Sequence, residues 1–273
     1  MLKSVLLHLD GSRRAQRVID LGMALAYPAA ARVRGLSVVD TRRLDEMVAS
    51  ESAVYATTEV QRLSGATQRQ AAVHEVLDRM SGAVGIECDT KGLRGDPLVV
   101  LPREAKYHDL VITSHAPAKE RIEPGELSAW ELVDLLMRGV VPMLVTRGAE
   151  RSPGRVLLVY DGTEASGRAI RTFLSQEIFP EADCRLLCVG GAADSQGRTL
   201  RDMAEYCRIR RPELETGSLR GPIRRVLLPY AEKWQAEMVV MGVSRRRGFF
   251  GRLIGQSALD VLKQSDLALY ATA

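Results

Sequence analysis

The sequence predicts an α/β protein built from two tandem, doubly wound parallel-sheet domains. Three observations carry this. Apolar runs of strand length alternate with amphipathic stretches of helical period, the pattern of right-handed βαβ crossovers. Several runs, such as Leu110-Val111-Ile112 and Met238-Val239-Val240, are apolar at successive positions, as strands buried on both faces of a parallel sheet are. The pattern also occurs twice. SVLLHLDGSRRAQRVIDLGMALA from Ser4 and RVLLVYDGTEASGRAIRTFLSQE from Arg155 both read as strand, Asp-Gly-Ser/Thr, amphipathic helix.

In the first half the reading gives strand Ser4–Leu9, helix Arg13–Tyr27 and strand Arg32–Val39. A long helix over about Glu59–Gly82 follows, then a short strand Glu87–Gly92 and a helix Pro97–Lys106. Strand Leu110–Ser114, helix Ala129–Arg138 and strand Pro142–Val145 close the half. The second half repeats the order: strand Val156–Tyr160, helix Ser166–Leu174, strand Cys184–Val189, helix Leu200–Arg208 and strand Glu215–Leu219. Helix Ile223–Trp234, strand Met238–Met241, helix Ser257–Gln264 and strand Leu267–Ala271 complete it.

The repeat has further landmarks. Leu93-Arg94-Gly95-Asp96-Pro97 matches Leu219-Arg220-Gly221-Pro222, each leading to a helix and a buried strand. Asp10 and Asp161 are 151 residues apart, but Gly95 and Gly221 only 126, so the first half carries about 25 extra residues, placed within 41–72. Residues 41–58 are read as a candidate loop over the first-half cleft. The polar stretch GAERSPG divides the chain into domains 1–148 and 154–273. The total of 273 residues suits two domains of about 140, each large enough for its own core.

Composition narrows the function classes. An apolar fraction of 46% and a charged fraction of 26% are those of an ordinary globular protein. No apolar run reaches membrane-spanning length, and the start MLKSVLLHLDGS lacks the form of a signal peptide, so a cytoplasmic protein is expected. A net charge of +4 spread along the chain, with 5% aromatics, argues against a nucleic-acid surface. Cys88, Cys184, Cys188 and Cys207 lack metal-ligand spacing and read as small apolar residues.

Doubly wound sheets bind ligands beyond the carboxyl ends of their strands, at the point where strand order reverses. The residues there are Asp10-Gly11-Ser12 and Asp161-Gly162-Thr163 after the first strands, and Val38-Val39-Asp40 and Val189-Gly190-Gly191 after the second. Ser114-His115 and Gly242-Val243-Ser244 follow the fourth. The Asp-Gly-Ser/Thr turn has two readings: a turn and helix cap, or a carboxylate that accepts a hydrogen bond from a base or ribose. The segment from Gly242 to Ser257 is glycine-rich and carries Arg245-Arg246-Arg247 between a buried strand and a helix. That combination suits phosphate, and equally a surface loop with solvated arginines.

At these residues the chain resembles the universal stress protein family, whose phosphate loop reads G-x2-G-x9-G-[ST]. Gly242 and Gly255 match its first and third glycines; Arg245 stands at the second, Gln256 replaces the hydroxyl residue, and Ser257 follows one position late. The resemblance covers nearly the whole chain. It implies a Rossmann-like fold and an adenine nucleotide such as ATP, held in the second domain by Asp161, Gly162, Thr163 and Val189 and by the loop residues Gly242, Arg245, Gly255, Gln256 and Ser257. In the first half, Asp10 and Val38 or Val39 match the nucleoside positions. The loop there has Ser114 and Pro117 at the first two glycine positions and Ala129-Trp130 at the last pair. Pro117 has no amide to donate, and Glu120, Glu123 and Glu126 are expected to repel phosphate, so the first half is not expected to bind ATP in the usual way. The resemblance also implies pairing of domains through their last strands, here Pro142–Val145 against Leu267–Ala271, with a homodimer of the chain left open.

No catalytic constellation is present. There is no G-x-S-x-G elbow, no G-x4-G-K-[ST] loop and no H-E-x-x-H helix. His8 reads as a sheet histidine, His115 as a solvated loop histidine or one facing a ligand, and Trp234 as helix packing. Three functions stay open: a stress-response protein that binds or senses an adenine nucleotide, a scaffold for an unidentified protein partner with both sites degenerate, and slow ATP hydrolysis at most.

Overall fold

The computed structural model describes residues 2–42, 53–121, 125–139, 141–147, 152–189, 193–243 and 256–273. The first half contains β1 (Ser4–His8), α1 (Ala15–Ala29), β2 (Arg32–Asp40), α2 (Ala53–Val84), β3 (Cys88–Gly95), α3 (Pro97–Ala105), β4 (Leu110–Ser114), α4 (Ala129–Arg138) and β5 (Met143–Thr146). The second contains β6 (Arg155–Tyr160), α5 (Glu164–Gln176), β7 (Asp183–Val189), α6 (Ala193–Arg208) and β8 (Glu215–Leu219). It ends with α7 (Ile223–Trp234), β9 (Met238–Gly242), α8 (Gln256–Gln264) and β10 (Ala268–Thr272).

All ten strands form one sheet of order β3-β2-β1-β4-β5-β10-β9-β6-β7-β8. Every pairing is parallel but one: β5 and β10 run antiparallel, with Met143 opposite Ala271, Leu144 opposite Tyr270 and Val145 opposite Leu269. The two halves thus have the same strand order, and the last strand of one pairs with the last strand of the other. The expected pairing is present within the chain. It leaves β3 and β8 as the sheet's edges, strands with polar and charged residues that discourage further pairing.

Each face of the sheet carries one continuous core that crosses the seam. On one face Leu7, Ile19, Leu77 and Ile112 of the first half join Leu158, Phe173, Cys207 and Tyr270 of the second. On the other, Leu6, Leu132 and Val145 join Leu157, Val239 and Leu262. Helices α1, α2, α5 and α6 cover the first face, and α3, α4, α7 and α8 the second.

Element order matches the sequence reading, with shifts at the ends. Helix α1 starts at Ala15, not Arg13, because the chain makes an extra turn after Gly11; Ser12 is therefore not its cap, and Arg14 is. Helix α2 starts at Ala53, so residues 53–58 of the expected cleft loop are helical backbone, while 43–52 lie outside the described residues. α2 has 32 residues against 16 in its counterpart α6, which accounts for much of the first half's extra length. β5 and β10 both lie one residue later than expected.

Candidate functional site

In the second half, strand order reverses between β6 and β9, the place where doubly wound sheets open a crevice. Asp161 follows β6, Val189 ends β7 and Gly242 ends β9, so three predicted residues stand at the carboxyl ends of three neighbouring strands. Gln256 and Ser257 open α8. Arg245 and Gly255, with Arg246 and Arg247, lie outside the described residues.

The Asp-Gly-Thr turn is built from its own side chains. Gly162 has φ +79°, a left-handed conformation that favours glycine. Asp161 Oδ1 accepts hydrogen bonds from Thr163 N at 3.0 Å, Thr163 Oγ1 at 2.6 Å and Ser166 Oγ at 2.7 Å. Thr163 caps α5 by accepting from Ser166 N at 3.2 Å. The structural reading of this turn is thus present, and Asp161 is nevertheless exposed at the crevice.

Gly242 has a packing role. A Cβ on it would stand 2.3 Å from both Ala165 C and Ser166 N, so strand β9 touches the first turn of α5 through bare backbone. Its counterpart Ser114 has a side chain because α1 starts later; Ser114 Oγ donates to Asp10 Oδ2 at 3.1 Å. Asp10 makes the same turn as Asp161, accepting from Ser12 N at 2.9 Å across Gly11 at φ +74°.

The first-half crevice differs throughout. Its loop folds back onto the turn: Gly125, at φ +100°, passes so close that a Cβ would lie 2.5 Å from the Asp10 carbonyl oxygen. Glu126 is buried and accepts from Arg14 Nη1 at 2.6 Å; Glu120 accepts from Arg14 Nη2 and Arg13 Nη2, each at 2.5 Å. The expectation that these carboxylates repel phosphate meets a different arrangement: the arginines ahead of α1 hold Glu120 and Glu126 in ion pairs, and Glu123 lies outside the described residues. The α4 terminus is closed by a capping box, Ser128 Oγ accepting from Glu131 N while Ser128 N donates to Glu131 Oε2. Arg42 joins Glu131 to Asp40; burial would raise the Asp40 carboxyl, but hydrogen bonds from Arg42 hold it below the usual carboxylate range.

Over these groups lies a cleft of about 940 Å³, roofed by α2 through Arg62, Ala66, Arg69 and Gln70. The sequence reading missed this roof, because an amphipathic helix does not announce which crevice it crosses. It also missed Arg147, which is buried after β5 and donates to Val261 O at 3.1 Å, Ser265 O at 2.8 Å and Leu267 O at 3.3 Å, and to the carbonyls of Leu262 and Ala116. These contacts tie the end of β5 to the last turn of α8. The partners are more than 100 residues away along the chain or on another loop, so no local pattern marks them.

His115 overturns both of its sequence readings. It is only 4% exposed, and Nδ1–H donates to Leu127 O at 3.0 Å, the carbonyl fixing that tautomer. Burial, helped by the Arg147 charge, lowers its pKa to about 4. His8 is a buried sheet histidine bonded to Thr113 Oγ1 at 2.9 Å. Cys184, Cys188 and Cys207 are buried, and burial raises the Cys207 thiol to about 12. Trp234 is half-buried, with the Arg185 and Arg155 guanidiniums over its ring. Among the described residues no group of His, Cys, Asp and Glu side chains is arranged to hold a metal, and no helix is long and apolar enough to cross a membrane.

Fold and crevice together define a doubly wound α/β protein of two like halves, each with a switch point in its strand order. Residues 153–270 match the universal stress protein family. The whole chain is similar in structure to a universal stress protein from Archaeoglobus fulgidus DSM 4304, with 16% identity and a TM-score of 0.71 over 98% of this chain and 97% of that one. It is likewise similar to a functionally unknown protein from Pseudomonas aeruginosa PAO1, with 16% identity and a TM-score of 0.62 over 99% and 92% of the two chains. At these identities the likeness establishes the fold alone. No curated protein matches the chain in sequence.

Proposed function

We propose that the chain comprises two domains, 1–148 and 154–273, and that the second binds or senses an adenine nucleotide such as ATP. The observation that carries the reading is the contrast between the crevices. The second half keeps Asp161, Gly162, Val189 and Gly242 at the switch point, and its α8 opens on Gln256 and Ser257. The first half brings Gly125 against the Asp10 carbonyl, sets the Arg14–Glu126 pair beside the turn and closes α4 with a capping box. In the proposed site Asp161 accepts from the nucleoside, Val189 borders it, and Gly242, Gly255 and Ser257 donate to phosphate beside Arg245. In this reading the protein acts by binding, in the cytoplasm, with slow hydrolysis at most, since the sequence offers no general base or magnesium ligand beyond Asp161.

The test is to denature purified protein and measure released nucleotide by mass spectrometry, with Gly255→Trp and Arg245→Glu as comparisons. About one adenine nucleotide per chain, lost in both variants, is the expected result. Stoichiometric binding that survives both substitutions refutes the site. No nucleotide, with no thermal shift in ATP and magnesium, favours a second reading. In that reading the paired halves form a scaffold for another protein. The self-satisfied Asp161 turn and the packing role of Gly242 support it, since both residues are accounted for without a ligand.

A further inference from the structure

The first-half cleft is a cavity that keeps Asp10, Val38 and Val39 at the nucleoside positions but has Ser114 and Pro117 where a phosphate loop would have glycines. Its volume of about 940 Å³ lies at the upper end of small-molecule pockets. Most of its charge is spoken for. Arg13 and Arg14 hold Glu120 and Glu126, Arg42 holds Asp40 and Glu131, and Arg62 holds Glu59 and the Asp40 carbonyl. Two guanidiniums on its walls, Arg69 and Arg121, make no hydrogen bond or ion pair among the described residues. Arg69 is fixed in place at its root: its Cβ lies against Gly11, so close that a Cβ there would approach to 2.9 Å.

The rest of the lining sets the ligand's body. Val38, Val39, Ala66, Pro97 and Leu127 contribute aliphatic surface, and no described lining residue is aromatic. A base or other flat ring would find no stacking partner. A phosphate would find the α4 amides capped, Pro117 without a donor, and Asp10 on the same wall. A single carboxylate carries less charge against those walls and needs fewer donors, and an arginine fork matches its geometry.

We infer that this cleft binds an aliphatic carboxylate, its head between Arg69 and Arg121 and its chain along Val38, Ala66, Pro97 and Leu127. The ligand class differs from that of the second half, so the two halves of one chain would report on different molecules.

Decanoate titrated calorimetrically into the full chain tests this, with decanamide as the uncharged comparison. One saturable site per chain is expected for decanoate and none for decanamide. Arg69→Gln and Arg121→Gln should each weaken binding about tenfold, as the loss of one charge-assisted hydrogen bond does. Ala66→Trp should abolish it by filling the cleft. Both arginines are exposed and unpaired, so their variants should melt with the parent protein. Saturating ATP should leave decanoate affinity unchanged, which separates this site from the second-half proposal. Absence of saturable decanoate uptake, equal uptake of decanamide, displacement by ATP, or full affinity in the Arg69→Gln/Arg121→Gln double variant overturns the inference.

Discussion

Gly242 and Ser114 stand at the same place in the two halves, and their difference follows from one helix start. α5 begins two residues earlier in its repeat than α1, so β9 meets helix backbone where β4 has room for a hydroxyl. Gly242→Ala should therefore destabilise the chain by about 1–3 kcal/mol, the usual penalty for forcing extra atoms into packed structure. A urea midpoint unchanged from the parent would contradict the packing role and return the glycine to a purely ligand-facing one. The motif's first glycine was legible in the sequence, but its reason was not. Close approach of two backbones is a property of how a helix is seated, and residues 165 and 242 carry no sign of it in their own neighbourhoods.

Among elements, the end of β5 and the end of α8 depend on one buried side chain. The last carbonyls of a helix have no partner within it. Here Arg147 supplies donors to those of Val261, Leu262 and Ser265, and Ala118 N reaches Asp266 Oδ1 at 2.9 Å beside it. Desolvation lowers the Arg147 pKa to about 10, which still leaves it charged at neutral pH. Arg147→Met should cost about 3 kcal/mol or more, because several buried carbonyls lose their donor together. Arg147→Lys should recover part of it. Chemical denaturation checks both, and a Met variant as stable as the parent would show that water replaces the guanidinium without loss.

Across the whole molecule, the four histidines respond to acid in the same direction. Burial is the leading cause that holds each of His8, His74, His108 and His115 below its ordinary value. The unfolded chain takes up protons near pH 6.5, while the folded chain does so only at lower pH. The stability they contribute is therefore complete above about pH 6.5 and is lost progressively as pH falls below it. From His115, with its folded value of about 4, the loss at pH 5 is about 2 kcal/mol. Glu104, held low first by its hydrogen bond from Lys91, adds a loss of the same sign further into acid. Urea midpoints at pH 7.5 and pH 5 should differ accordingly, and His115→Gln should flatten part of the slope. An unchanged midpoint between the two values would refute the assignment.

By itself the sequence determined the α/β class, the twofold repeat and the order of the strands along the chain, with most strand ends placed to within a residue. Those are local properties: apolar periodicity marks buried strands, and Gly, Asp and Pro mark the turns between them. It also placed Asp161, Val189 and Gly242 on strand ends, since a strand's carboxyl end follows from where its apolar run stops. Only the tertiary structure decided what fills each crevice. The first-half carboxylates read as repellent to a ligand, yet Arg13 and Arg14 neutralise Glu120 and Glu126 across more than 100 residues of chain. Likewise α2 reads as a long helix and becomes a cleft roof, and Arg147, which the sequence does not single out, becomes the clasp at the seam. The physical reason is the same in each case. The energy of a charge depends on which distant partner the fold brings within hydrogen-bond reach and on how much water it removes, and neither quantity is written in local pattern.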